Sequence, residues 1–171
     1  MDSIGCKVTI MQNRNTNLND IYMSDRLQAQ LQQIDQHAMT CVVAPMGYGK
    51  TTAVNLFLGE RSKAPGTRVV RISIYSDNLA IFWRSVQSAF AHAGLDFLRQ
   101  YELPSDLQGL MLLMDDLNRA LVGTGPFYIF LDDYHLLQGP RCAPFLCKCV
   151  VRLPKNVHIT RPTRPPRWGM A

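Results

Sequence analysis

A chain of 171 residues, 47% hydrophobic and 18% charged, is long enough for one domain with a real core and too apolar to stay disordered. No apolar run approaches the ~20 residues that cross a bilayer, and an N-terminus with Asp2 and no hydrophobic signal core points to the cytoplasm and away from a membrane. The net charge of +5 is not a nucleic-acid footprint: the seven Lys/Arg from Tyr134 onward meet no acid, whereas residues 1–133 hold eleven basic and thirteen acidic side chains, so specific DNA binding by this chain alone is not expected.

The first stretch, Met11 to Asp20, is polar, rich in Asn and without periodicity, and residues 1–23 read as a mobile segment. Ser24 then caps a helix with Leu27, Leu31 and Ile34 at helical spacing. Met39-Thr40-Cys41-Val42-Val43 is a short, partly β-branched run, a strand in which Cys41 reads as a small core residue. It leads into Ala44-Pro45-Met46-Gly47-Tyr48-Gly49-Lys50-Thr51-Thr52, the phosphate-loop pattern G-x-x-x-x-G-K-[ST] with Ala44 at the first glycine. Gly47 and Gly49 allow backbone conformations closed to other residues, so that successive N–H groups can surround a phosphate. Lys50 brings a point charge to the outer phosphates and the Thr51 hydroxyl suits Mg²⁺. Lys50 to Leu58 carries Val54, Phe57 and Leu58 on one face, so the loop lies between strand and helix N-terminus, the context of an anion site. Ala44, Gly47, Tyr48, Gly49, Lys50, Thr51 and Thr52 are the expected nucleotide-binding set.

After Ala64-Pro65-Gly66, the run Thr67 to Ile74 reads as a second strand. Asp77 is placed to cap a helix striped by Leu79, Phe82, Trp83, Val86 and Phe90 and ended by Gly94. Ser105 opens another, striped by Leu107, Leu110, Met111, Met114, Leu117 and Leu121. Gly123-Thr124-Gly125-Pro126 breaks it, and Phe127-Tyr128-Ile129-Phe130-Leu131 is a buried strand. Strands alternating with helices argue for a three-layered α/β fold with a parallel sheet.

A phosphate-loop protein also needs an acid at a neighbouring strand end to position Mg²⁺. Asp115-Asp116 lies within a continuous helical pattern, whereas Asp132-Asp133 ends a strand, at the edge where such sheets bind ligands. Asp132 is therefore assigned to Mg²⁺ and Asp133 to polarising the attacking water, with a simple helix cap as the alternative for Asp133. The five cysteines, Cys6, Cys41, Cys142, Cys147 and Cys149, show no C-x-x-C spacing, and reduced thiols rather than metal ligands are expected, even with His135 and His158 nearby in sequence.

The phosphate loop together with Phe130-Leu131-Asp132-Asp133-Tyr134-His135-Leu136-Leu137 resembles the nucleotide-binding domain of MalT-like, LuxR-family ATP-binding transcriptional regulators of the STAND class of NTPases. Ile21 to Leu27, Phe82-Trp83-Arg84 and Leu153 to Ile159 are similar to that family too, so the likeness spans about residues 21 to 161. It implies a slowly hydrolysing switch set by ATP or ADP with Mg²⁺, whose ATP form self-associates. It also implies a Thr-Ser-Arg sensor after the strand Val157 to Thr160, but here Thr160-Arg161 runs into Pro162-Thr163-Arg164-Pro165-Pro166-Arg167-Trp168. The expectation is a P-loop NTPase domain over 24–160, incomplete at its C-terminus, followed by a Pro/Arg-rich tail over 161–171: a regulator cut off before its DNA-binding domain. The rivals are a small phosphotransferase with Arg161, Arg164 and Arg167 in a lid, which the prolines disfavour as a helix, and a non-functional remnant.

Overall fold

In the computed structural model of this protein, residues 23–137 and 142–163 are described, the side chains of Cys142 and Ala143 excepted. The expected mobile segment up to residue 22, Cys6, and the tail from Arg164 on, with Arg167, lie outside the described residues.

Helix α1 (Asp25–Leu31) starts at Ser24, whose Oγ accepts from the Leu27 N–H at 3.4 Å, and continues into a 3₁₀ segment, Gln32–Gln36. Strand β1 (Met39–Val43) leads through the glycine loop into α2 (Lys50–Arg61). Strand β2 (Arg68–Ser73), helix α3 (Leu79–His92), helix α4 (Leu107–Leu121), strand β3 (Phe127–Asp132), helix α5 (Cys142–Val150) and strand β4 (Val157–Thr163) follow. All strand pairs are parallel, in the order β1-β4-β3-β2. This is the expected α/β P-loop architecture, a parallel sheet flanked by helices.

The two faces of β3 explain the layering. Phe127, Ile129 and Leu131 point into a cluster with the stripes of α3 and α4 and with Leu146 of α5, while Tyr128 and Phe130 point the other way, against Val54, Phe57 and Leu58 of α2 and Leu31 and Ile34. A strand buried on both faces has to be apolar throughout, as this one is.

Several details differ from the sequence reading. Helix α3 is capped by Asn78, not Asp77: Asn78 Oδ1 accepts from the Ala80 and Ile81 N–H groups at 2.9 and 3.3 Å. Helix α4 is capped by Asp106, not Ser105, through Asp106 Oδ1 and the Gly109 N–H at 2.7 Å. In both cases the carboxamide or carboxylate one position later is the one in extended backbone just before the helix. The α4 stripe takes in Leu113 with Leu110, Met114, Leu117 and Leu121, and leaves Leu107 and Met111 exposed because the i, i+3, i+4, i+7 series starts at Leu110.

Strand β4 continues past Thr160 to Thr163, although residue 162 is proline. Its ladder allows this. The Ile159 N–H reaches Ala38 O on the β1 side, so the residue-162 amide position faces β3, and the β3–β4 pairing has already stopped at Phe130 opposite Thr160. A missing donor there costs no hydrogen bond.

Cys41 is exposed rather than core. Strand β1 is an edge strand among the described residues, and on its Met39-Cys41-Val43 face the helical layer reaches only Met39.

Candidate nucleotide-binding site

The loop after β1 is shaped by its two glycines. Gly47 has φ 82° and Gly49 φ 69°, left-handed conformations that a side chain would strain, although open space surrounds the place a Cβ would occupy. Ala44 tolerates the position usually held by glycine because its φ is not positive: Asp133 is the one non-glycine residue with positive φ among those described. The Ala44 N–H also donates to Thr163 O at 3.4 Å, fastening the start of the loop to the end of β4.

Gly49 is the N-cap of α2 and brings no side-chain acceptor, so the first N–H groups of that helix are left for a ligand. Lys50 Nζ donates to the carbonyls of Ala44 and Pro45, both at 2.7 Å, which holds its charge over the loop. A cleft opens here, walled by Gly47, Gly49, Lys50, Thr51 and Thr52 on one side and by Asp132, Asp133, His135, Pro162 and Thr163 on the other.

Across the cleft the Thr51 hydroxyl donates to Asp132 Oδ1 at 3.2 Å, and the Asp133 N–H donates to the same oxygen at 3.0 Å. The two side chains are 81 residues apart in sequence and meet because β3 ends level with the first turn of α2. A hydroxyl and a carboxylate at this spacing are hard oxygen donors of the kind Mg²⁺ takes when a phosphate and waters complete its shell. The donor set therefore fits that ion.

Asp133 has φ 54° and ψ 31°, and its side chain makes no capping bond to the following 3₁₀ turn, Tyr134–Leu136. Its carboxylate is 61% exposed and 3.8 Å from His135 Nδ1. A non-glycine residue in this region costs on the order of 1–2 kcal/mol, and the conformation turns the second acid to the rim.

Tyr48, 46% exposed, does not line the cleft, and Ala44 contributes through its backbone rather than the wall. Asp115 is exposed on α4, and Asp116 accepts from the Tyr101 hydroxyl and from Arg119 Nη1, away from the loop. Arg161 is turned from the cleft: its guanidinium lies 4.4 Å from the Tyr134 ring centroid, and its Nε donates to Cys41 Sγ at 3.0 Å. His135, Pro162 and Thr163 were not expected at the site. For the last two, the available signal was that β4 must end beside the loop for a ligand to lie between them.

Among the described residues no group of three or more His, Cys, Asp or Glu is arranged to hold a metal, and no helix is long and apolar enough to cross a membrane. Burial pushes the Cys149 thiol up to about 12.

No family model matches the chain. It is 29% identical over 117 residues to the ORC1-type DNA replication protein 6 of Halobacterium salinarum, an alignment covering 58% of this chain and 29% of that protein. The chain thus spans less than a third of the curated relative it matches. A solved structure of C. elegans PCH-2 aligns with a TM-score of 0.44 and 16% identity, over 87% of this chain and 40% of that one. Loop, sheet order and the acid at the end of β3 together give the chain a P-loop NTPase fold.

Proposed function

We propose that this chain is a Mg²⁺-dependent ATP- and ADP-binding module that hydrolyses slowly and acts as a conformational switch. The observation that carries the reading is the contact between Thr51 and Asp132 across a glycine loop at a helix N-terminus. In this reading the loop N–H groups and Lys50 hold the phosphates, Thr51 and Asp132 hold Mg²⁺, and Asp133 at the rim polarises water. Bound Mg²⁺ would supply charge neutralisation between the outer phosphates.

The finer assignment, the nucleotide-binding part of a MalT-like LuxR-family regulator in the cytoplasm, rests on Asp132-Asp133-Tyr134-His135 and the flanking similarities. Sequence-specific DNA recognition would then belong to segments other than this one. A second reading, a nucleotide-dependent module of a replication protein, is favoured by the alignment to the ORC1-type relative. Selective protection of a DNA sequence by this chain at physiological salt would support the second reading against the first.

Titration calorimetry with ATP and Mg²⁺ tests the shared core of both. Lys50→Ala should weaken binding about ten-fold or more, the worth of a charge-assisted contact to phosphate. Equal affinity in wild type and variant would refute nucleotide binding at this loop.

A further inference from the structure

The sheet's other edge carries a groove that the nucleotide site does not use. The Arg68 N–H bonds Pro126 O and the Ile74 N–H bonds Asp132 O, so the even-numbered residues of β2 face β3, and by the two-residue period the backbone groups of Val69, Arg71 and Ser73 point outward. No strand pairs with that edge among the described residues. The flank of α3 stands alongside, and the two elements enclose a surface groove.

Its chemistry is one-sided. Arg71, Arg84 and His92 line it, all exposed, and none of its lining residues is acidic. The Arg71 side chain leans to the α2 face, where its Nε donates to Asn55 Oδ1 at 3.1 Å, so the groove's charge lies chiefly on the α3 ridge. Arg84, Ser88 and His92 recur every four residues and form a ridge along α3, about 12 Å long at the helical rise. That length is about four residues of extended chain. Tyr75, 77% exposed, and Ile81, 46% exposed, add apolar surface to the same groove.

We propose that this groove binds an extended acidic segment of a partner protein, which adds a strand to β2 and sets carboxylates along the ridge from Arg84 to His92, with apolar residues past the Arg84 end of the ridge meeting Tyr75 and Ile81. The open edge supplies main-chain hydrogen bonds and the helix ridge supplies side-chain selection, a known division of labour in peptide recognition. A second copy suits the edge less well, since two-fold pairing centred on β2 would bring Arg71 against Arg71 and like charges in register repel. A nucleic-acid strand would meet the arginines and Tyr75 but would leave the outward N–H and C=O row of β2 without a partner.

The test is fluorescence anisotropy of the full chain with a labelled decapeptide of alternating Glu and Val. Binding should weaken about ten-fold or more in Arg84→Glu, and the same variant should bind a Lys–Val decapeptide that the wild type ignores. A Glu–Val peptide N-methylated at every residue keeps its charge but has no N–H to donate to a strand from either edge, and it should bind at least about ten-fold more weakly. Circular dichroism of Arg84→Glu and the milder Arg84→Gln should match wild type, because the side chain is exposed. Equal binding of the methylated and parent peptides would overturn strand addition, and equal binding by wild type and Arg84→Glu would overturn the groove. Tighter binding of a fifteen-residue oligo-dT than of the peptide would make the surface a nucleic-acid site instead, and a dimer dispersed by Ser73→Pro, which removes an outward N–H of β2, would make it a self-contact.

Discussion

At the scale of single residues, the proposed chemistry divides between two adjacent acids that differ in what holds them. Asp132 Oδ1 receives the Thr51 hydroxyl and the Asp133 N–H, which fixes that carboxylate against the first turn of α2. Asp133 is free to face the rim, in a left-handed conformation that a residue with an ordinary structural role would not retain without cost. Asp132→Ala should therefore remove the Mg²⁺ dependence of nucleotide binding. Asp133→Asn should leave affinity within about two-fold and slow hydrolysis about a hundred-fold, the scale of one general-base contribution. Single-turnover assays with and without Mg²⁺ check both. An equal loss from Asp115→Ala, on the exposed side of α4, would move the site away from β3.

At the scale of elements, the α2 side of the sheet is held by a polar junction at the edge of a largely apolar layer. Asp35, just after α1, accepts from Arg61 Nη2 at 2.5 Å at the end of α2 and from the Tyr128 hydroxyl at 2.7 Å on β3. Burial first, and then the bond to Asp35, push the Tyr128 hydroxyl up to about 12. A folded-state value above the unfolded one means that the contribution is complete below pH ~10 and is lost as pH rises toward ~12. Tyr128→Phe should lower stability by about 1 kcal/mol at neutral pH. It should also flatten that part of the stability loss between pH ~10 and ~12, measured as the difference between wild-type and variant urea midpoints. On the opposite face, Trp83 Nε1 and Gln87 Nε2 of α3 donate to Tyr101 O at 3.1 and 2.8 Å. These bonds fasten the 3₁₀ segment Asp96–Gln100 to the helix that precedes it.

At the scale of the whole molecule, both outer strands of the sheet lack a partner among the described residues, but their chemistry differs. The β2 edge is guarded by arginine. On β1, Ala38 O and the Ala44 N–H face β4, so the backbone of Met39, Cys41 and Val43 faces outward, with no charge or proline in the strand. An edge of that kind favours pairing between chains. Sedimentation velocity should show association that grows with concentration and is suppressed by Val43→Lys at a half-exposed position. A switch also predicts a turnover pattern. Phosphate release should be slow, well below the ~10 s⁻¹ typical of enzymes, and should proceed without an added acceptor. Rapid phosphate transfer to a small metabolite in a substrate screen would favour the phosphotransferase, for which the structure offers no arginine lid among the described residues, since Arg161 lies on Tyr134.

The phosphate loop, the helix after it, the strand ending in Asp132-Asp133 and the alternation of strands with helices were all legible from the chain alone. Each is a local matter: a glycine that must take positive φ, a 3.6-residue stripe, an apolar run too short for a helix. Periodicity also put Asp115-Asp116 within a helix and Asp132-Asp133 at the end of a strand, where they lie. What stayed out of reach depends on neighbours in space. Cys41 looks like a core residue until β1 is found at the sheet edge, with the helices covering only Met39. Pro162 looks like the end of the fold until the ladder shows its missing N–H facing a strand that has already stopped. The walls supplied by His135, Pro162 and Thr163, the junction at Asp35 and the arginine-lined edge of β2 each join residues far apart in sequence. Only the order and register of the strands, fixed by burying both faces of β3 at once, brings them together.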